Sequence, residues 1–269
     1  MHSTCGRTCT VGDALRMEGV GVRFGSFVAL DGVSLHVPSG SITGLIGRNG
    51  AGKTTSIRAL AGLLRPDAGD IQVLGMRWPD DGVEIKRSTG YLLSEPALFA
   101  YLTPEETLLF LGEAYGVPTL EAGRRAEYLL RFFGLWDARN RLIDGFSTGM
   151  QKRLSLAAAL VHAPRLLVLD EPFESLDPLM VRRAKGLLVE YARGGGTTLL
   201  SSHLIGAVEE LCDHIAILEH GRVLVAGPTD EAKQQAVGTL GPATLEELYA
   251  SVVDDDEPPS LDWLSASGV

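Results

Sequence analysis

The chain has 269 residues, of which 45% are hydrophobic and 22% charged. This composition is that of an ordinary globular protein with one large or two small domains, and it excludes a fibrous, collagenous or wholly disordered chain. The 34 acidic residues outnumber the 24 basic ones and give a net charge of -10, which argues against a dedicated nucleic-acid surface. We therefore expect no nucleic-acid partner.

Cysteine content and hydropathy favour a cytoplasmic protein. Cys5, Cys9 and Cys212 form an odd set without metal-finger spacing, so a disulfide framework is not expected and a reducing cytosol is favoured. Residues 1–16 lack the apolar region of a signal peptide, and no apolar run approaches the length of about 18 residues that indicates a membrane helix. At a membrane, such a chain would need a partner to hold it there.

The N-terminal part is predicted to be a short extension followed by a small sheet. Residues 1–14 are rich in Ser, Thr, Gly and Cys and are predicted to form a flexible extension. From Leu15 to Val37, apolar positions alternate with polar ones between turn residues, which predicts antiparallel strands. A further strand is predicted from Ile71 to Leu74.

A glycine-rich stretch at residues 47–54, GRNGAGKT, fits the phosphate-loop pattern G-x-x-x-x-G-K-[ST]. In such a loop, backbone N–H groups surround an anion and the lysine reaches the β- and γ-phosphates. The strand Ile42–Ile46 precedes the loop, and a helix predicted to end near Leu64 follows it, so the helix dipole would face the phosphates. The candidate nucleotide-binding residues of this stretch are Gly47, Asn49, Gly50, Ala51, Gly52, Lys53, Thr54 and Thr55.

Between about residues 90 and 164 the pattern becomes helical. Residues 103–106, TPEE, combine a capping box with proline at the first helical position and predict a helix through about Tyr115. A second helix is predicted from about Leu120 to Phe133, and a third, largely buried one from Met150 to Ala163. These residues are predicted to be a helical insert in an α/β domain.

An α/β pattern then resumes with a pair of acidic residues at the end of an apolar run. Leu166–Leu169 is typical of a strand buried in a parallel sheet, and Asp170 and Glu171 follow directly. Mg²⁺ usually takes one or two carboxylates together with substrate phosphates, so Asp170 suits the metal while Glu171 can polarise a water molecule. A helix is predicted after Asp177, and the predicted strand 197–201 ends just before His203.

The C-terminal part divides into strands, helix and tail. Strands are predicted over residues 214–218 and 222–226, which close a domain that spans residues 15–228. Residues 229–253 are predicted to be a C-terminal helical segment with a helix from Thr244 to Val253. The last stretch, residues 254–269, carries five acids and no base and is predicted to be a solvated acidic tail.

Together these motifs resemble the ATP-binding subunits of ABC transporters, over about residues 17–226. Residues 146–150, FSTGM, resemble the family's signature loop, usually LSGGQ, and Asp170-Glu171 resembles its Walker B motif with the catalytic glutamate. Residues 175–177 are similar to the D-loop, and Ser202-His203 to the switch histidine. Phe24 lies where the family has an aromatic residue that stacks on adenine, and residues 244–249 are similar to the end of subunits from drug-export systems.

The resemblance implies a P-loop NTPase core with a mainly parallel sheet, an N-terminal antiparallel β-subdomain and an inserted helical subdomain. It also implies a head-to-tail dimer with a second ATPase subunit, identical or related, that holds two ATP molecules with Mg²⁺. The chain would lie on the cytoplasmic face of the membrane, held by a separate permease whose transport it powers. Export is the expected direction.

Residue roles follow from the same resemblance. Each ATP would contact Lys53 and Thr54 of one subunit and Ser147 and Gly149 of the other. In each site Glu171 would activate the attacking water and His203 would contact the γ-phosphate. Asp177 would act across the interface.

The sequence departs from the family in the signature loop and in the predicted metal site. Phe146, Thr148 and Met150 replace the commoner residues, whereas Ser147 and Gly149 retain the hydroxyl and the small residue of the signature. Residues 173–175 differ from those that usually precede the D-loop.

Ser94 aligns with a glutamine that in the family contacts Mg²⁺ and communicates with the permease. Either Ser94 coordinates through its hydroxyl, beside Thr54 and Asp170, or Glu95 takes the place of the glutamine.

Two alternatives compete with a transporter subunit. The first is a soluble ABC-type ATPase that acts on a non-membrane partner such as an assembly scaffold. The second is a nucleotide-dependent regulator with little hydrolysis, which the altered signature and Ser94 suggest.

Overall fold

The structure, a computed structural model, describes residues 12–94, 97–236 and 244–253. Most of the predicted N-terminal extension, Glu95 and the predicted acidic tail lie outside the described residues. Within the described part, two sheets and nine α-helices form the fold. The division into domains stays a prediction, although the first strand already begins at Asp13, two residues before the predicted boundary.

An antiparallel sheet is built from β1 (Asp13–Phe24), β2 (Phe27–Pro38), β4 (Ala68–Val73) and β5 (Met76–Arg77), in the order β2-β1-β4-β5. Buried apolar side chains recur along β1 and β2, as expected for strands with one face on a core. The two strands are joined by a two-residue turn at Gly25-Ser26, where Gly25 has φ of 61°. The predicted antiparallel subdomain is therefore present.

A six-stranded sheet has the order β10-β9-β3-β8-β7-β6, and only β10 runs antiparallel to its neighbour. Its strands are β3 (Ile42–Ile46), β6 (Thr89–Leu92), β7 (Leu166–Asp170), β8 (Thr197–Ser202), β9 (His214–Glu219) and β10 (Arg222–Pro228). Every residue of β3, β7 and β8 is buried, as is typical of parallel strands covered on both faces. The predicted fold class is confirmed.

Alternate residues of each strand enter two different cores. Leu166 and Val168 pack with α1 (Lys53–Leu60) and the antiparallel sheet on one face. Leu167 and Leu169 pack on the other face with the remaining longer helices. Those helices are α3 (Pro104–Ala114), α4 (Thr119–Phe132), α5 (Thr148–Leu160) and α6 (Pro178–Arg193).

The predicted helix starts at Thr103 and Asp177 are confirmed because their caps are local in sequence. Thr103 forms the predicted capping box with Glu106, with N···O distances of 2.8 and 3.2 Å. Asp177 accepts a hydrogen bond from the Met180 backbone N–H at 2.9 Å. At the C-terminal end, Thr244 caps α9 (Leu245–Val252) in the same way as Thr103.

Several expectations need correction. The helix after the glycine loop ends at Leu60 rather than near Leu64, because Gly62 adopts φ of 67° and the N–H groups of residues 63 and 64 fold back onto the Arg58 carbonyl. Residues 89–92 belong to strand β6, so the helical stretch begins later than residue 90. Short helices α2 (Gly82–Ser88), α7 (Ile205–Leu211) and α8 (Thr229–Ala236) were not individually predicted.

Candidate functional site

The glycine loop lies between β3 and α1, at the carboxyl edge of the parallel sheet. Gly50 and Gly52 have φ of 86° and 112°, a region that favours glycine. A side chain at Gly47 would lie 2.3 Å from the Leu218 carbonyl oxygen. No side chain caps α1, so its first backbone N–H groups are available to an anion.

Lys53 is held over this loop by the loop's own backbone. Its side chain is only 6% exposed, and Nζ donates to the carbonyl oxygens of Gly47 at 2.6 Å and Arg48 at 3.3 Å. Nζ also lies 3.5 Å from Oε1 of Glu171. A buried ammonium fixed in this way provides a positive charge at the place where the loop N–H groups converge.

Asp170, at the end of β7, is fully buried and accepts hydrogen bonds from three hydroxyl groups. Thr54 Oγ1 donates to Oδ2 at 2.9 Å, Ser94 Oγ donates to the same oxygen, and Ser201 Oγ donates to Oδ1 at 2.5 Å. Thr54, Ser94 and Asp170 thus present hard oxygen atoms at one point, a donor set that Mg²⁺ prefers. The structure brings the three predicted metal-site residues together.

Glu171 lies between a lysine and a histidine. Oε2 is 3.0 Å from His203 Nδ1 and accepts from the His203 backbone N–H at 3.3 Å, while Oε1 faces Lys53. Its backbone adopts φ of 47°, and its N–H donates to Ser201 Oγ at 2.9 Å. Positive φ in a non-glycine residue is costly and clusters at functional sites. Because Oε1 lies 3.5 Å from Lys53 Nζ, the Glu171 carboxylate is next to the position that a phosphate bound to Lys53 would take.

Lys152 joins the start of α5 to the acidic pair. Its side chain is buried, and Nζ donates to the Asp170 backbone carbonyl at 3.3 Å. Burial lowers the pKa of Lys152, and the carboxylates of Glu174, Asp170 and Glu171 act in the opposite direction. Helix α5, which follows the signature-like loop, is thus hydrogen-bonded directly to Asp170 at the end of β7.

A cavity of about 350 Å³ opens over the glycine loop. It is lined by six of the candidate nucleotide-binding residues and by the predicted residues Ser94 and Glu171; the six are Asn49, Gly50, Gly52, Lys53, Thr54 and Thr55. Gly47 and Ala51 are buried and do not line it. Phe24 does not line it either, whereas Phe27, its cross-strand neighbour in the β1–β2 hairpin, does.

The signature-like residues lie away from this cavity. Ser147 is exposed and caps α5 by accepting from the Met150 N–H at 3.4 Å. Gly149 packs against the loop before α6, where an added Cβ would lie 2.7 Å from the Ser175 carbonyl oxygen. Asp177 is exposed and caps α6. None of these three residues lines the cavity of its own chain.

Comparison with known proteins decides the family. A family model described as ABC transporter matches residues 30–174, more than half of the chain. The chain belongs to the ABC transporter family. The family and the relatives below confirm the prediction that it is an ATP-binding and ATP-hydrolysing subunit.

Curated relatives of this ABC ATPase include drug-related subunits. It is 37% identical over 213 residues to the bacitracin transport ATP-binding protein BcrA of Bacillus licheniformis, covering 79% of this chain and 69% of that protein. It is 37% identical over 220 residues to the daunorubicin/doxorubicin resistance ATP-binding protein DrrA of Streptomyces peucetius, covering 82% of this chain and 67% of that protein. A solved ATP-binding subunit of an ABC transporter superposes with a TM-score of 0.83 at 34% identity, covering 89% of this chain and 99% of that one.

Among the residues of this ABC ATPase site that the sequence did not reveal are Phe27, Lys152 and Ser201. Phe27 lines the cavity, Lys152 reaches the Asp170 carbonyl, and Ser201 bridges Asp170 to the Glu171 backbone. Phe27 could have been noticed because it directly follows the hairpin turn after Phe24. Lys152 and Ser201 carry no such signal, since each is brought in from another element.

The ABC ATPase has no membrane-spanning helix among the residues that the structure describes. Its longest helix there, α6, has 16 residues, and no described helix combines the length and the apolar character that crossing a bilayer requires.

Proposed function

We propose that this ABC ATPase powers the export of a substrate through a separate membrane permease, as one of two ATPase subunits that are identical or related. The observation that supports it best is the joint placement of Lys53, Glu171 and His203 beside the Asp170 oxygens, which assembles one half of a hydrolytic site within a single chain. The names of the relatives, which refer to bacitracin transport and to daunorubicin/doxorubicin resistance, favour a drug-like substrate and the export direction.

In the proposed reaction, the loop N–H groups and Lys53 bind the β- and γ-phosphates of ATP. Glu171 orients a water molecule for attack on the γ-phosphorus and accepts its proton, and His203 holds the Glu171 carboxylate and contacts the γ-phosphate. Thr54, Asp170 and Ser94 would hold Mg²⁺, which supplies charge neutralisation on the phosphates.

The second ATPase subunit is proposed because the site of one chain is open on one side. Ser147 is exposed at the N-terminus of α5, where backbone N–H groups can receive a phosphate, yet it does not line the cavity of its own chain. A second subunit packed head to tail would place its Ser147 and Gly149 over the ATP. Asp177, also exposed, would lie in the same interface.

The permease is proposed to dock on the helical insert. Phe99, Tyr101 and Phe110 are 45%, 86% and 52% exposed, and the rings of Phe99 and Phe110 contact each other edge to face. Clustered exposed aromatic residues are typical of protein interaction sites. The Asp144 N–H, just before the signature-like loop, donates a hydrogen bond to the Ala100 carbonyl in the same segment. A permease docked there could therefore shift the loop that carries Ser147. The ATPase would thereby lie on the cytoplasmic face of the membrane.

Hydrolysis by the assembled complex tests the catalytic part of the proposal. Glu171→Gln is expected to lower phosphate release by about 100-fold or more while ATP binding persists, because a general base contributes at least this factor. Glu174→Gln is the matched control, since this neighbouring carboxylate also lines the cavity but contacts neither His203 nor Lys53 in the described structure. Equal loss in both variants would refute the role of Glu171.

The transport part is tested separately. Membrane association of this chain is expected to depend on a co-expressed permease, and cells that express both are expected to accumulate less bacitracin or daunorubicin, the probes that the relatives suggest. A complex that hydrolyses ATP and stays functional without any permease would instead support the alternative of a non-membrane partner.

A further inference from the structure

A second concave surface of this chain shares no lining residue with the cavity over the glycine loop. A groove of about 860 Å³ runs between α4, the end of α5 and α6. Its floor and walls are mostly apolar or aromatic, with Tyr128, Leu129, Phe132, Leu160, Leu187 and Tyr191 among them. Exposed apolar concavities of this size are typical of binding surfaces.

Cationic side chains line the same groove. Arg125 is satisfied, because it donates to Glu121 at 2.9 Å and to the Val161 carbonyl at 3.1 Å. Glu190 is likewise paired with Arg193. Arg124 and Arg183 are exposed and have no carboxylate partner within the described residues. The groove therefore combines apolar walls with two uncompensated guanidinium groups, in a chain whose net charge is -10.

A segment of complementary chemistry lies in the same chain beyond Val253. Residues 254–257, DDDE, supply four carboxylates, and residues 261–264, LDWL, supply two leucines and a tryptophan around a fifth carboxylate. Carboxylates can pair bidentately with arginine, and a tryptophan with flanking leucines suits an aromatic groove. We propose that the segment 254–264 docks in the groove between α4 and α6 of its own chain.

The chain geometry permits this docking. Helix α9, which ends at Val252, packs on α7, and an ion pair of 2.5 Å between the side chains of Lys185 and Glu210 links α7 to α6. One helix-packing distance of 8–10 Å plus the reach of a Lys–Glu pair places α6 roughly 20 Å from α9. The seven residues 254–260, when extended, span at most about 25 Å, so residues 261–264 reach the groove. Tethering also gives the segment an effective concentration of order mM, so that weak contacts suffice.

Fluorine NMR of the full chain, labelled with 5-fluorotryptophan, tests the docking. The resonance of Trp263 is identified by its loss in Trp263→Phe, and Trp78 and Trp136 report on the rest of the fold. Docking predicts a Trp263 resonance shifted from that of free 5-fluorotryptophan, with a small change between H₂O and D₂O. The double variant Arg124→Glu/Arg183→Glu is expected to move this resonance to the free position.

The matched control is Arg65→Glu/Arg182→Glu, which changes the net charge equally at exposed positions that do not line the groove. It is expected to leave the Trp263 resonance in place. If the groove variant unfolds, as the Trp78 and Trp136 resonances would reveal, replacement of acids 254–257 by their amides gives the same test without changing the folded part.

Two results would overturn the proposal. The first is a Trp263 resonance that already has the free position in the unmodified chain, or that moves neither in Arg124→Glu/Arg183→Glu nor in the variant with amides at residues 254–257. The other is a shift that disappears on dilution together with a halving of the sedimentation mass, because the groove would then be occupied by a second copy rather than by the chain's own segment.

Discussion

The two phenylalanines at the end of the β1–β2 hairpin differ in what they face. Phe24 matches the family's adenine-stacking position in sequence, yet Phe27 lines the cavity over the glycine loop. Aromatic stacking on a base contributes about 1–3 kcal/mol, so Phe27→Ala is expected to weaken ATP binding about tenfold. Phe24→Ala, the matched control, is expected to change it much less. Titration with a fluorescent ATP analogue measures both.

The opposite order of effects, with Phe24→Ala the more damaging, would show that the sequence position rather than the cavity identifies the stacking residue. Both rings are exposed, at 51% and 61%, so neither substitution creates a core cavity and a change in affinity reports on the ligand contact.

Some residues of the site could be predicted from the sequence, and others could not. The glycine loop and Asp170-Glu171 are contiguous motifs next to apolar strands, so their chemistry could be recognised locally. Ser201 and Lys152 are 31 and 18 residues away from Asp170 in the chain and reach it only through the fold. Which carbonyl or carboxylate they contact depends on strand order and helix packing, which local patterns do not specify.

Gly149, near the start of α5, lies against the loop before α6. An added Cβ at Gly149 would lie 2.7 Å from the Ser175 carbonyl oxygen, and Ser175 itself has φ of 62°, so the loop has little freedom to move away. Gly149→Ala is expected to destabilise the isolated chain by about 1–3 kcal/mol, the usual cost of overpacking. Denaturant unfolding of the subunit without its partner measures this effect.

Gly206→Ala in α7 is the matched control for this prediction. Nothing lies within 4 Å of its added Cβ, so the substitution is expected to be neutral or to stabilise the helix by up to about 1 kcal/mol. If Gly149→Ala were as stable as the unmodified chain and only hydrolysis suffered, Gly149 would matter through the ATP of the partner subunit alone.

Elements with local end signals were predictable, and short ones without them were not. The starts of α3 and α6 follow from Thr103-Pro104 and Asp177-Pro178, whose side chains cap the helices in the structure. Helices α2 and α7 have seven residues each, too few to show a helical period, and neither has a side-chain cap. The four-residue strand β6 was absorbed into the helical stretch because only its neighbour β7 identifies it as a strand.

At the scale of the whole molecule, His162 joins the helical insert to the six-stranded sheet in surroundings that favour its neutral imidazole. His162, just after α5, stacks on Tyr115 at the end of α3, with ring centroids 4.0 Å apart. Its Nε2 lies 3.3 Å from the Thr89 carbonyl oxygen at the start of β6. Burial lowers the pKa of His162 to about 4, and Arg125 acts in the same direction. The native structure therefore holds this imidazole neutral.

The lowered pKa of His162 predicts a loss of stability in acid. The neutral ring is favoured in the folded state, so its contribution is fully present above pH 6.5 and is lost as the pH falls from about 6.5 to 4. At 1.36 kcal/mol per pH unit, this amounts to about 3 kcal/mol. Unfolding free energies measured across this window are expected to fall more steeply for the unmodified chain than for His162→Gln, which cannot be protonated. His220→Gln, at an exposed turn, is expected to follow the unmodified curve, and parallel curves for all three proteins would contradict the assignment.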